Sequence, residues 1–294
     1  MARRRDDISG VLIMVVAVLI LSPDALLISL VAVDPWTVVF WRGLLTAATM
    51  TVGLLFAHGR DTVSQIHHVG WPGVLAGFLF GSSTLSFVLS VRLTAAANTL
   101  VIISAMPLFA ALFTRLFLKE KVPVHTWIAV TVGFAGIAIV FSGSLAGLSA
   151  LGDLLAMVTA CFMAGNFVII RRYRKVNMIP AVILSGILTT AAMAPFAAPL
   201  SVTGPDVLFL AVMGTIVLPI PLSFMTIAPK LIPAAEVSLI MLLETFLGPL
   251  WVWFGLGQVP AVETFLGGGV LVLTLAWHSM VRLGDRPGRP IPDV

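Results

Sequence analysis

Ten apolar runs of about twenty residues, each bounded by charge, proline or glycine, constrain this chain more than any other feature of its sequence. They are Ile8–Ser29, Thr37–Ala57, Val69–Val91, Ala96–Leu118, Val124–Ser142, Leu151–Ile170, Ile179–Pro199, Val207–Ala228, Ala234–Phe254 and Val262–Val281. A helix of about 20 apolar residues crosses a hydrocarbon core roughly 30 Å thick. The runs lack the two-residue alternation of a barrel strand, and lipid offers no partner to an unpaired backbone group, so helices are expected. The fold class that follows is an all-α integral membrane protein with ten transmembrane helices. Composition agrees: only 10% of the 294 residues are charged and 59% are hydrophobic, against about 25% charged in a soluble domain.

What remains outside the runs is too short for a soluble domain, and several chemistries drop out with it. The single cysteine, Cys161, excludes a disulfide framework and a cysteine-based zinc site. The five histidines are scattered or, at His67 and His68, adjacent in a loop, which is not the spacing of metal ligands on a helix. No metal and no cofactor is expected. No G-x-x-x-x-G-K-[ST] loop occurs, so direct ATP hydrolysis is not expected either. The three arginines before the first run resemble a signal-peptide start, but Ser22-Pro23-Asp24 stands where a small-residue cleavage site belongs. The first run is therefore read as a retained span.

With the N-terminus in the cytoplasm, 15 of the 17 Lys and Arg residues fall on the inner side of ten spans, the block Arg171-Arg172-Tyr173-Arg174-Lys175 among them. Only Arg92 falls in an outer loop, and Arg42 lies within the second run. This is the asymmetry of the positive-inside rule, and it puts both termini inside. The net charge of +4 is thus topology and not a nucleic-acid footprint.

The chain also repeats itself. A shift of 138 residues lays Leu93-Thr94-Ala95-Ala96-Ala97-Asn98 on Leu231-Ile232-Pro233-Ala234-Ala235-Glu236, and a shift near 142 lays Pro23-Asp24 on Gly165-Asn166. The units are five spans in residues 1–148 and five in 149–284, followed by a short cytoplasmic tail, 285–294. Because five is odd, the second copy enters the membrane in the opposite direction, as in inverted repeats that alternate as inner and outer gate.

These features carry a family resemblance. The Ala95-Ala96-Ala97-Asn98 entry to span 4, Pro107 within it, Leu118-Lys119-Glu120-Lys121 at its end, and Gly133 and Gly136 in span 5 resemble the drug/metabolite transporter superfamily, EamA type. Leu242-Leu243-Glu244 and Phe254-Gly255-Leu256-Gly257 continue the pattern in the second half, which departs from it at Thr245 and Gln258. The resemblance implies exporters or exchangers of amino acids, small metabolites or drugs, with spans 5 and 10 packed away from a cavity lined by the others.

Ionisable groups within hydrocarbon are expensive and mark candidate sites. Asp24 and Arg42 stand at similar outer depth in neighbouring runs and can pair, whereas Pro23-Asp24 also reads as a helix break and Arg42 as a snorkelling side chain. Glu244 lies halfway along the ninth run, placed to take a substrate amine or a proton; the alternative is a protonated acid hydrogen-bonded to a neighbouring helix that contributes packing alone. Asn98 with Glu236, and Asp24 with Asn166, are repeat partners at opposite depths; helix capping is the alternative for Asn98 and Glu236. Trp41 and Trp251 lie deep enough to face a cavity, although Trp41 and its neighbour Arg42 point about 100° apart. Pro107, Pro219, Pro221 and Pro249 are expected to kink their helices.

The function expected is a secondary transporter, not an enzyme, moving a small-molecule substrate by alternating access across the inner or plasma membrane. Its partners are that solute and the bilayer, and a homodimer is compatible with the sequence. The rivals are a channel, for which no filter-like loop is seen, and a membrane enzyme built on Ser82-Ser83 with His278 or on Asp6-Asp7.

Overall fold

The computed structural model describes residues 2–59, 68–119, 123–143, 147–173, 176–231 and 234–284. Every regular element among them is helical: α1 (Ala2–Leu21), α2 (Asp24–Leu30), α3 (Pro35–His58), α4 (Gly70–Leu93), α5 (Ala96–Ile103), α6 (Met106–Phe117), α7 (Val124–Ser142), α8 (Gly147–Arg172), α9 (Ile179–Met193), α10 (Pro205–Val212), α11 (Pro219–Leu231), α12 (Ala234–Leu256) and α13 (Val262–Gly284). A π-helical segment, Met213–Val217, joins α10 to α11. Seven segments of the described chain are long and apolar enough to cross a membrane, and Ile179–Met193 and Val262–His278 are shorter apolar helices. The protein is a multi-pass integral membrane protein.

Prolines set several of the boundaries. Pro23 caps α2 after a turn at Ser22, Pro107 stands in the first turn of α6 after a break at Ser104–Ala105, and Pro219 opens α11. In each case the ring is tolerated because first-turn amides have no intrahelical acceptor. Pro249, by contrast, lies inside the continuous helix α12. The run expected to reach Pro199 stops as a helix at Met193: Pro195 has no amide to continue the ladder, and the Phe196 and Ala197 amides both turn back to the Met193 carbonyl (2.9 Å). Gly257, at φ 67°, closes α12 by returning its amide to the Trp253 carbonyl (2.8 Å), a left-handed cap that an L side chain strains.

Packing follows a pairwise pattern. α3 packs on α9, α7 on α13, α4 on α8, and α1 on α11, while α12 touches both α1 and α5. Numbering the rods by the ten expected runs, these are contacts 2–7, 5–10, 3–6, 1–8, 9–1 and 9–4. An exchange of halves leaves 2–7, 5–10 and 9–4 unchanged and turns 1–8 into 6–3. The breaks do not share this relation: α1/α2 and α5/α6 are interrupted, while α8 and α12 are not.

Small residues permit the closest approaches. A Cβ on Gly267 would lie 2.5 Å from the Gly136 carbonyl oxygen, at the α7–α13 seam, and a Cβ on Gly186 would lie 2.5 Å from the Gly43 carbonyl oxygen, at α3–α9. A Cβ on Gly269 meets nothing within 4 Å. Gly267→Val is therefore expected to cost about 1–3 kcal/mol by overpacking, and Gly269→Ala close to nothing, compared as thermal unfolding in detergent. Equal midpoints for the two variants would contradict the seam.

Candidate functional site

The site is built where the first rod breaks. Ser22 ends α1 by donating its hydroxyl to the Leu19 carbonyl (3.0 Å), and the Trp251 indole of α12 donates to the same hydroxyl oxygen (2.9 Å). Asp24 then opens α2, in whose first turn the helix dipole favours negative charge. Arg42, two turns into α3, meets it with a two-pronged contact, Nη1 to Oδ1 at 2.6 Å and Nη2 to Oδ2 at 2.9 Å. Both side chains are almost wholly enclosed, at 2% and 7% exposure. Nη1 also lies 3.2 Å from the Met213 sulfur, at the head of the π segment. The pair expected from matched depth in two runs is thus formed, and snorkelling of Arg42 is not what the structure shows.

Glu244 faces the same break from α12. It lies one turn from Ile240, Met241 and Leu247, which pack with Met14 and Val18 of α1 and Met225 of α11. It is within Coulombic reach of Asp24, and among the described residues no hydrogen bond to it is found. The Asp24 carboxylate thus holds both terminal nitrogens of Arg42 and has a second carboxylate, Glu244, within Coulombic reach.

A small cavity of about 10 Å³ borders Arg42 on α3, lined by Thr46, Thr84, Ser185 and Thr189 and covered by Phe80 and Leu218. A larger apolar cleft of about 230 Å³ runs between α5, α12 and α13, along Val101, Pro249, Trp253 and Phe265. The charged groups, not the larger volume, mark the site here, because the cleft carries no ionisable side chain.

Other expected residues fall elsewhere. Trp41 turns away from Arg42 and donates to the Pro199 carbonyl (3.4 Å), packing among Ala25, Ile28 and Val38. Asn98 does not cap α5: Ala95 stands at that position, and the Asn98 side chain accepts from Thr264 of α13 and donates to Asp153 of α8 (3.5 Å). Asn166 is half-buried on α8, beside Gly165, which faces Leu79 of α4. Glu236 belongs to α12, but its side chain lies outside the described residues, as do Glu120 and Lys121. Ser83 donates to the Phe80 carbonyl (2.7 Å), and His278 bonds Thr126 (2.9 Å), so the serine–histidine pairing is not formed.

Two polar clamps at one end of the bundle were not foreseen. Asp153, fully buried on α8, accepts from Thr94 (2.7 Å), and Ser149 bonds the same hydroxyl (3.0 Å). Gly152 lets the Leu93–Thr94 turn rest on the helix there, since a Cβ would come within 2.7 Å of Thr94. Beside this, the 31–34 connection is held three ways. Arg92 donates to the carbonyls of Val31 (2.6 Å) and Val33 (3.1 Å), Asp206 accepts the Ala32 amide (3.2 Å to each oxygen), and Asp34 caps α3 through Thr37 (2.9 Å). The Thr37 hydroxyl in turn accepts the Ala198 amide (2.8 Å).

The site is thus a cluster of buried charge at a helix break, inside a bundle of paired apolar rods. The chain carries an EamA-like transporter family domain over residues 8–142, which fits the drug/metabolite transporter superfamily. It is 24% identical over 211 residues to a Bacillus subtilis (strain 168) protein described as "Uncharacterized transporter YdfC", covering 67% of each chain. A solved structure described only as "Crystal structure of protein" shares the fold, with a TM-score of 0.67 at 20% identity over 95% of this chain and 99% of its own.

Proposed function

We propose that the protein is a secondary transporter of the inner or plasma membrane that exports or exchanges small metabolites, amino acids and drug-like amphiphiles among them, by alternating access. The observation that carries this reading is the enclosed Asp24–Arg42 pair at a helix break with Glu244 beside it. Charge is kept in a membrane interior at such cost only where it is used. The topology proposed with it has ten crossings, both termini cytoplasmic, and two inverted five-helix units, residues 1–148 and 149–284. The contacts that survive an exchange of halves support that relation. In this orientation the end held by Arg92, Asp206 and Asp153 is the outer one.

In the transport cycle Glu244 takes the substrate amine or the coupling proton, and the Asp24–Arg42 pair fixes the break against which α12 moves. Protein reconstituted in liposomes is expected to carry out saturable counterflow of at least one solute from an amino-acid and amphiphile panel. Glu244→Gln is expected to lower that flux by roughly tenfold or more. Unchanged flux and unchanged pH response in this variant would make Glu244 a packing residue, and absence of flux for any solute under any gradient would remove the transporter reading.

A further inference from the structure

Arg42 gives both terminal nitrogens to Asp24 but not the third. Its Nε is buried with no hydrogen-bond partner, and so is the Thr46 hydroxyl one turn further along α3. The two residues are 2% and 3% exposed, and both line the small cavity between α3, α4 and α9. Unanswered polar atoms at this depth forgo the hydrogen bonds that water gives them in the unfolded chain.

The opposite wall has the complementary character. The hydroxyls of Thr84, Ser185 and Thr189 donate back to the carbonyls of Phe80 (3.2 Å), Val182 (2.7 Å) and Ser185 (2.6 Å). Their hydrogens are spent, and their oxygens are left as acceptors. The glycines keep the walls close: a Cβ on Gly81 would fall 2.6 Å from the Thr189 hydroxyl, and one on Gly43 2.9 Å from the Gly186 carbonyl. The cavity measures about 10 Å³, about what a single water oxygen needs.

Donors on one wall and acceptors on the other select the occupant. A carboxylate offers acceptors alone and sets its lone pairs against three oxygens, and Asp24 already neutralises the guanidinium. An ammonium offers donors alone and leaves Nε unanswered. A hydroxyl accepts and donates at once. We propose that this cavity is a subsite for one hydroxyl group, supplied by a water or by the transported solute. Where the solute supplies it, the subsite rests on the transport reading; where water supplies it, the subsite stands without it.

The experiment has two arms. The first is a structure of the full chain in lipid nanodiscs from a map that resolves ordered waters, for the wild type, Thr46→Val and Thr46→Ser. The expected result is density bonded to Arg42 Nε in the wild type and Thr46→Ser and its loss in Thr46→Val, with Ser185→Ala as the second probe should Thr46→Val not fold. The second arm measures thermal unfolding with L-serine against L-alanine and ethanolamine against ethylamine. A larger shift for the hydroxylated member of each pair, abolished by Thr46→Val, assigns the hydroxyl to the solute. Density without that discrimination assigns it to water. A map that shows ordered waters elsewhere but none in this cavity, together with equal shifts for both members of each pair, overturns the proposal.

Discussion

Arg42→Ala is expected to destabilise the protein by about 3–5 kcal/mol, because it strands the Asp24 carboxylate in a site with 7% exposure. In detergent this reads as a fall in unfolding midpoint on the order of 10 °C. The informative comparison is Asp24→Ala/Arg42→Ala. Removing both charges leaves no orphan, so the double variant is expected to be more stable than either single one. The cost lies in an unanswered charge and not in the lost contact. If the double variant falls as far as the sum of the singles, the pair acts through packing and this account of it fails. Transport is expected to be lost in all three, since stability can be restored without restoring the charges.

The second large effect is expected at the opposite end of α2. Asp206 grips the Ala32 amide with both oxygens across a sequence separation of 174 residues, joining the connection after α2 to the start of α10. In a Cys161→Ala background, Ala32→Cys/Asp206→Cys replaces this grip with a bond that oxidation closes and reduction opens. Oxidation is expected to abolish flux and dithiothreitol to restore it. The paired serine variant, Ala32→Ser/Asp206→Ser, is expected to be insensitive to oxidant. Full flux with the disulfide shown by mass spectrometry to be closed would mean that this end does not open during transport.

The all-helical, membrane-spanning character was legible because hydropathy is a property of whole segments and survives errors of a few residues at each boundary. The Asp24–Arg42 pair was legible for a similar reason: two opposite charges at one depth in adjacent runs have few alternatives in lipid. Asp153 escaped notice although it lies inside an expected run. Its position near the start, beside Gly152, resembled a flank, whereas the helix begins earlier, at Gly147, and carries the carboxylate into the interior. Asn98 and Thr264 stand 166 residues apart with no pattern linking them, and only the packing of α5 on α13 brings them together. Arg92 reads from the sequence only as the basic residue of an outer loop, and Asp206 carries no signal there, because their partners are main-chain atoms of the 31–34 connection and backbone groups leave no mark in a sequence. The single unpaired atoms of Arg42 and Thr46 depend on side-chain geometry alone.

The interruptions in the rods have a consequence for the motion itself. The first half bends at Ser22–Pro23 and Ser104–Ala105, while the second half carries the π segment Met213–Val217 and the continuous helices α8 and α12. Rods at matching places in the two proposed units therefore differ in their interruptions. If the two halves trade places as gates, opening toward one side is a flexing of jointed rods, and opening toward the other is a swing of rigid ones. The two gating movements then proceed at different rates, while the direction of net transport is still set by the gradients across the membrane.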